Sequence, residues 1–108
     1  MNRLLAIAVA LALAGGAQAA GNAAAGKAKA AQVCAACHGA DGNKPIAPEN
    51  PILAGQHQDY LVKAMKDYKS GKRNNAIMKG FAATLSNRDI EDLAAWFASQ
   101  KSALHFQR

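Results

Sequence analysis

The chain has 108 residues, and 13 Lys and Arg against 7 Asp and Glu give it a formal net charge of +6. That length holds one small domain, whose hydrophobic core is marginal and usually needs a staple. With two cysteines, no second C-x-x-C and no H-x-x-H, the composition argues against a structural zinc site, which wants four nitrogen or sulfur ligands.

In chain order, Arg3, the apolar run Leu4 to Ala14 and the small-residue sequence Ala17-Gln18-Ala19 form the pattern of a secretory signal and its cleavage site. The expected boundaries are 1–19 for the signal and 20–108 for the mature domain. An apolar run of eleven residues falls short of the roughly 20 that span a bilayer as a helix. No cysteine stands near the cleavage site to carry a lipid. The expectation is a soluble exported product without stable membrane insertion after cleavage, periplasmic in a bacterium. The mature chain keeps 89 residues and a charge of +5.

Beyond the signal there are two valines, four isoleucines and one threonine, too few for the β-branched alternation of strands. The fold class expected is all-α. A first helix, rich in Ala and Lys, is predicted from Asn22 or Ala23 to about Cys37, before the turn-forming Gly39-Ala40-Asp41-Gly42. Pro45, Pro48 and Pro51 then forbid a regular helix and make an extended segment. A second helix is predicted over His57–Ser70, with Leu61, Ala64, Met65 and Tyr68 on its apolar face and Gly71 as its stop. Its other face carries Lys63, Lys66 and Lys69, with Asp59 four residues before Lys63 as a helix pair. Ala76 to Leu85 reads as a loop with at most a short helical turn. The last helix is marked by Ser86 three residues before Asp89, like a capping box, and by the stripe Ile90, Leu93, Ala94, Phe97.

The chemistry is concentrated in Cys34-Ala35-Ala36-Cys37-His38. C-x-x-C-H is the attachment sequence for a covalent c-type haem. Cysteines three apart on a helical turn project to the same side, so both sulfurs reach the two vinyl edges of one porphyrin. The histidine beside them, about 100° further round, is placed to ligate the iron. A thioredoxin-like disulfide would need a βαβ context, which the pattern lacks.

Gly26 through Gly39, Pro51-Ile52-Leu53-Ala54-Gly55-Gln56 with Tyr60-Leu61, Met78, and Leu85-Ser86 through Asp89 to Phe97 together resemble a small class I cytochrome c of the bacterial c5, c553 and c4 group. The resemblance covers nearly all of the mature chain. It implies a single cytochrome c domain of three to four helices around one covalent haem, with His38 and Met78 as axial ligands. It also implies that the backbone carbonyl of Pro51 accepts the Nδ1 proton of His38, with Pro45 and Pro48 as competitors, and that Gly26 and Ala30 form a notch for Trp96. Among other sixth-ligand candidates, Met65 reads as core filling, and His57 and His105 as exposed residues. Gln56, Tyr60 and Arg73 are candidate propionate contacts.

A His/Met pair fills both axial positions, which favours electron transfer over catalysis. The expected function is a soluble periplasmic one-electron carrier, not an enzyme, serving respiratory or redox proteins. The alternatives are the haem subunit of a dehydrogenase or oxidase, and a five-coordinate haem enzyme or sensor. Lys63, Lys66, Lys69, Lys72, Arg73 and Lys79 point to redox partners with acidic docking surfaces, or form only a solvated helix face. No nucleic-acid partner is expected.

Overall fold

The computed structural model describes residues 21–104, so the expected signal, its cleavage site and His105 lie outside the described residues. Five helices follow one another: α1 (Ala23–Val33), α2 (Ala35–His38), α3 (Gln58–Ser70), α4 (Ala76–Ala83) and α5 (Asn87–Ser99). No strand occurs among the described residues, and none of the described helices is long and apolar enough to cross a membrane. The first helix does not run unbroken into the cysteine motif. It stops at Cys34, and the motif forms its own short turn; with α4 this brings the count to five.

α1 begins at Asn22, whose side-chain oxygen accepts the N–H of Ala25 at 2.9 Å, satisfying one of the donors that a helix start leaves without a partner. The N–H of Asn22 itself donates to Asp92 Oδ1 at 2.8 Å, so the same residue fastens α1 to α5. The two helices meet at Gly26, which is buried. A Cβ there would stand 1.9 Å from the carbonyl oxygen of Asp92 and 2.9 Å from Trp96 Cβ. The small-residue notch therefore receives the α5 backbone first, and Trp96 only at its rim.

α5 starts with the capping box read from the sequence. Ser86 Oγ accepts the N–H of Asp89 at 3.0 Å, and Asp89 Oδ2 accepts the N–H of Ser86 at 2.9 Å. Its stripe Ile90, Leu93, Ala94 and Phe97 is buried against Ala30, Leu61 and Leu85. Ile90 and Leu93 are the largest fully buried side chains, each worth about 1.5–3 kcal/mol of burial.

α3 packs on α4 and α5 and ends at Gly71, whose φ of +86° is left-handed and free of steric cost for glycine. Within α3, Lys63 pairs with Asp67 and not with Asp59, whose carboxylate accepts the N–H of Tyr60 at 2.9 Å. Held at the positive end of the helix dipole, Asp59 turns toward the backbone.

Residues 39–57 form no regular element but are pinned to α5. Gly55 N–H donates to Phe97 O at 2.9 Å, and the Trp96 indole N–H donates to Ala40 O at 3.0 Å. Leu53 N–H closes the segment on Gly42 O at 2.8 Å.

Two consequences are measurable. Gly26→Ala must push α1 off α5, so a loss of about 3 kcal/mol or more is expected in denaturant unfolding; a variant as stable as the parent would contradict this packing. The second concerns Asp89, whose carboxyl is held below the usual carboxylate range chiefly by the backbone N–H of Ser86, against some burial, with help from the Ser86 hydroxyl and Lys29. A group depressed in the folded state stabilises above its unfolded value, about 3.9, and loses that contribution as pH falls through the folded value. The stability gap between the parent and Asp89→Asn should therefore be widest near neutrality and shrink below about pH 4. A gap constant with pH would show that Asp89 acts without its charge.

Candidate cofactor-attachment site

The cysteine motif sits where α1 gives way to α2. Cys34, with φ −117° and ψ −35°, still donates to Ala30 O at 2.9 Å, while its own carbonyl accepts the N–H groups of Cys37 at 3.2 Å and His38 at 3.0 Å. One tight turn thus carries both thiols and the imidazole. Both cysteines are free and partly exposed. Burial, and then the neighbouring Cys37, push the Cys34 thiol up to about 11 against the opposing pull of Lys29, so it stays protonated at neutral pH.

His38 is buried, with its Nδ1 2.9 Å from the carbonyl oxygen of Pro51. A carbonyl only accepts, so Nδ1 carries the proton and donates, and Nε2 keeps its lone pair for a ligand. Of the three prolines, it is Pro51 whose carbonyl lies against the ring. The loop reaches it because it folds back on the end of α2: Ile46 N–H and Asn50 Nδ2–H both donate to Cys37 O, at 3.1 and 3.2 Å, and Lys44 N–H donates to His38 O at 3.2 Å. These carbonyls are among those that a helix end leaves without partners.

Met78 is half-buried and lies inside α4, not in a loop. The loop expectation is corrected by Asn75, whose side-chain oxygen accepts the N–H of Met78 at 3.0 Å. This cap lets Ala76, Ala82 and Ala83 propagate a helix that the asparagine pair before it obscured. Met65 is packed against the core cluster, in keeping with a filling role. His57 is exposed at the start of α3 and makes no side-chain capping bond there.

The donor set fits a c-type haem. Two thiols on one turn suit two thioethers, a buried imidazole offers Nε2, and a thioether sulfur is a soft second ligand. Ile77 and Phe81 on α4, and Ile46 on the loop that carries Pro51, are exposed apolar side chains, of the chemistry that suits the apolar faces of a porphyrin. Among the described residues, no cluster of three or more His, Cys, Asp or Glu side chains is arranged for a bare metal ion.

Of the three polar candidates, Arg73 Nη1 donates to Tyr60 Oη at 3.2 Å, while Gln56 is engaged locally, accepting the N–H of His57 at 2.9 Å. Half of the basic cluster is likewise occupied: Lys63 by Asp67, Lys69 by the carbonyl of Leu85, and Arg73 by Tyr60. Lys66, Lys72 and Lys79 are exposed. Sequence reasoning missed Asn50, Asn75 and the role of Lys69. Only Asn75 left a usable signal, an N-cap residue type immediately before helix-forming residues.

A family model described as cytochrome c matches residues 23–101. Over 105 residues the chain is 56% identical to cytochrome c4 of Pseudomonas aeruginosa, covering 96% of this chain and 51% of that protein. Over 85 residues it is 46% identical to cytochrome c-554(548) of Halomonas halodenitrificans, covering 76% of this chain and 100% of that protein. The crystal structure of reduced recombinant cytochrome c4 from Pseudomonas stutzeri is similar at a TM-score of 0.72 and 46% identity, over 79% of this chain and 48% of that one. The chain spans about half the length of the cytochromes c4 that it matches.

Proposed function

The chain belongs to the cytochrome c family, and on that premise we propose that it is an exported one-electron carrier. It holds one haem c through thioethers to Cys34 and Cys37, with His38 and Met78 as the axial ligands of the iron. The observation that carries this reading is the bond from His38 Nδ1–H to Pro51 O at 2.9 Å, made by the histidine that directly follows the paired thiols. When bound, haem c supplies the reversible one-electron iron chemistry that no side chain here provides.

The residues of the chain do the rest. The Pro51 carbonyl fixes the His38 tautomer, holds the ring and raises the basicity of Nε2. Met78 adds a neutral, soft sulfur, and a Met/His pair raises the potential relative to two histidines. With His38 and Met78 both given to the iron, no open place would be left for a substrate, so the role is carriage rather than catalysis. Helices α1 and α5 and the pinned loop 39–57 hold the His38 side in fixed geometry, which limits reorganisation when the charge changes. Residues 1–19 direct export, to the periplasm in a bacterium. Exposed Lys66, Lys72 and Lys79 face redox proteins with acidic docking surfaces.

The test is the denatured mass of protein made in a cell able to mature c-type haem. One haem adduct is expected on the parent, retained through acid-acetone extraction and lost from a Cys34→Ala, Cys37→Ala double variant. A parent mass without an adduct, or with haem removed completely by extraction, would overturn the reading.

A further inference from the structure

The helix that carries Met78 is held to the rest of the protein in an unusual way. Of its eight residues only Ala82 is buried, and Ile77 and Phe81 stay exposed, at 69% and 41%. Apolar packing within the chain therefore supplies little of what fixes this helix. At each end, however, a cation from α3 or the turn after it makes a specific polar tie.

At the N-terminal end, the chain between α3 and α4 is drawn back onto α3 by Arg73. Its N–H donates to Asp67 O at 3.0 Å, and its guanidinium donates to Tyr60 Oη and lies over the Tyr68 ring, 4.8 Å from the centroid. Tyr60 stands in the first turn of α3, directly after the segment that holds Pro51 and Gln56, so this tie joins the chain that follows the His38 partner to the chain that precedes Met78. Two residues after Arg73, Asn75 caps the turn in which Met78 lies. At the C-terminal end, Lys69 Nζ donates to Leu85 O, between α4 and the Ser86 cap of α5.

We propose that Arg73, with Tyr60, and Lys69 are positioning residues that clasp the two ends of α4 to α3 and so hold the Met78 sulfur at the iron. The inference rests on the His38/Met78 ligation proposed above. It separates these two cations from the rest of the basic cluster: their work is internal, while Lys63 pairs only along its own helix. Breaking either tie loosens one end of α4, because so little of that helix is buried against the rest of the chain, and an external ligand can then compete with Met78.

The experiment is titration of the ferric holoprotein with imidazole, read by the near-infrared sulfur-to-iron band, for the parent and for Lys69→Met, Arg73→Gln, Arg73→Lys, Tyr60→Phe and Lys63→Met. Because both side chains are solvent-exposed, loss of one tie should raise the imidazole association constant about three- to tenfold for Lys69→Met and Arg73→Gln. Tyr60→Phe, which removes a single oxygen atom, should give a rise of about threefold. Arg73→Lys should fall between parent and Arg73→Gln, and Lys63→Met, with the same loss of charge as Lys69→Met, should leave binding unchanged. Association constants equal to that of the parent in all variants, or a rise for Lys63→Met equal to that for Lys69→Met, would overturn the clasp alone. A parent protein without the sulfur-to-iron band would overturn the ligand assignment and the clasp with it.

Discussion

The close approach of α1 to α5 at Gly26 is the constraint on which the rest of the structure depends. With no side chain at that position, the carbonyl of Asp92 comes against the α1 backbone, and Asn22 is bonded to the Asp92 carboxylate one turn earlier. Because α1 is fixed on α5, its C-terminal end is fixed too, and that end delivers Cys34, Cys37 and His38. The same α5 then anchors the loop through Trp96 and the carbonyl of Phe97, which brings the Pro51 carbonyl to the imidazole. One helix crossing thus positions both the His38 imidazole and the carbonyl that sets its tautomer.

The two sides of the site are built differently. The His38 side leans on fully buried Ile90 and Leu93 and on a loop whose backbone bonds go to neighbouring carbonyls. The Met78 side is a short helix with one buried alanine, capped by Asn75 and tied through side chains. Apolar burial resists local opening more strongly than exposed polar bonds do. The helix that carries Met78 is therefore the element whose placement leans most on individual polar side chains such as Lys69 and Arg73.

Much of this was legible in the sequence because it was encoded locally. The capping box of Ser86 and Asp89, the αL stop at Gly71, the stripe of α5 and the pentapeptide Cys34 to His38 each sit within one or two helical turns. What was not legible depended on choices between near-equal partners. Lys63 had Asp59 and Asp67 at the same spacing, and the dipole at the start of α3 decided for Asp67. Gly26 was visible as a small residue, but nothing local showed that a backbone carbonyl, more than the Trp96 ring, would fill the space. The helix around Met78 was hidden by the pair Asn74-Asn75, which reads as a loop unless the second asparagine is taken as a cap. Lys69 looked like one charge in a row, since its carbonyl partner lies sixteen residues away.

The central claim is that iron in this protein is held between His38 and Met78, and the near-infrared absorption of the ferric holoprotein tests it most directly. The account predicts a sulfur-to-iron charge-transfer band in the parent, kept in Met65→Ala and abolished in Met78→Ala with a fall in reduction potential. A band that survives Met78→Ala and disappears in Met65→Ala would contradict it.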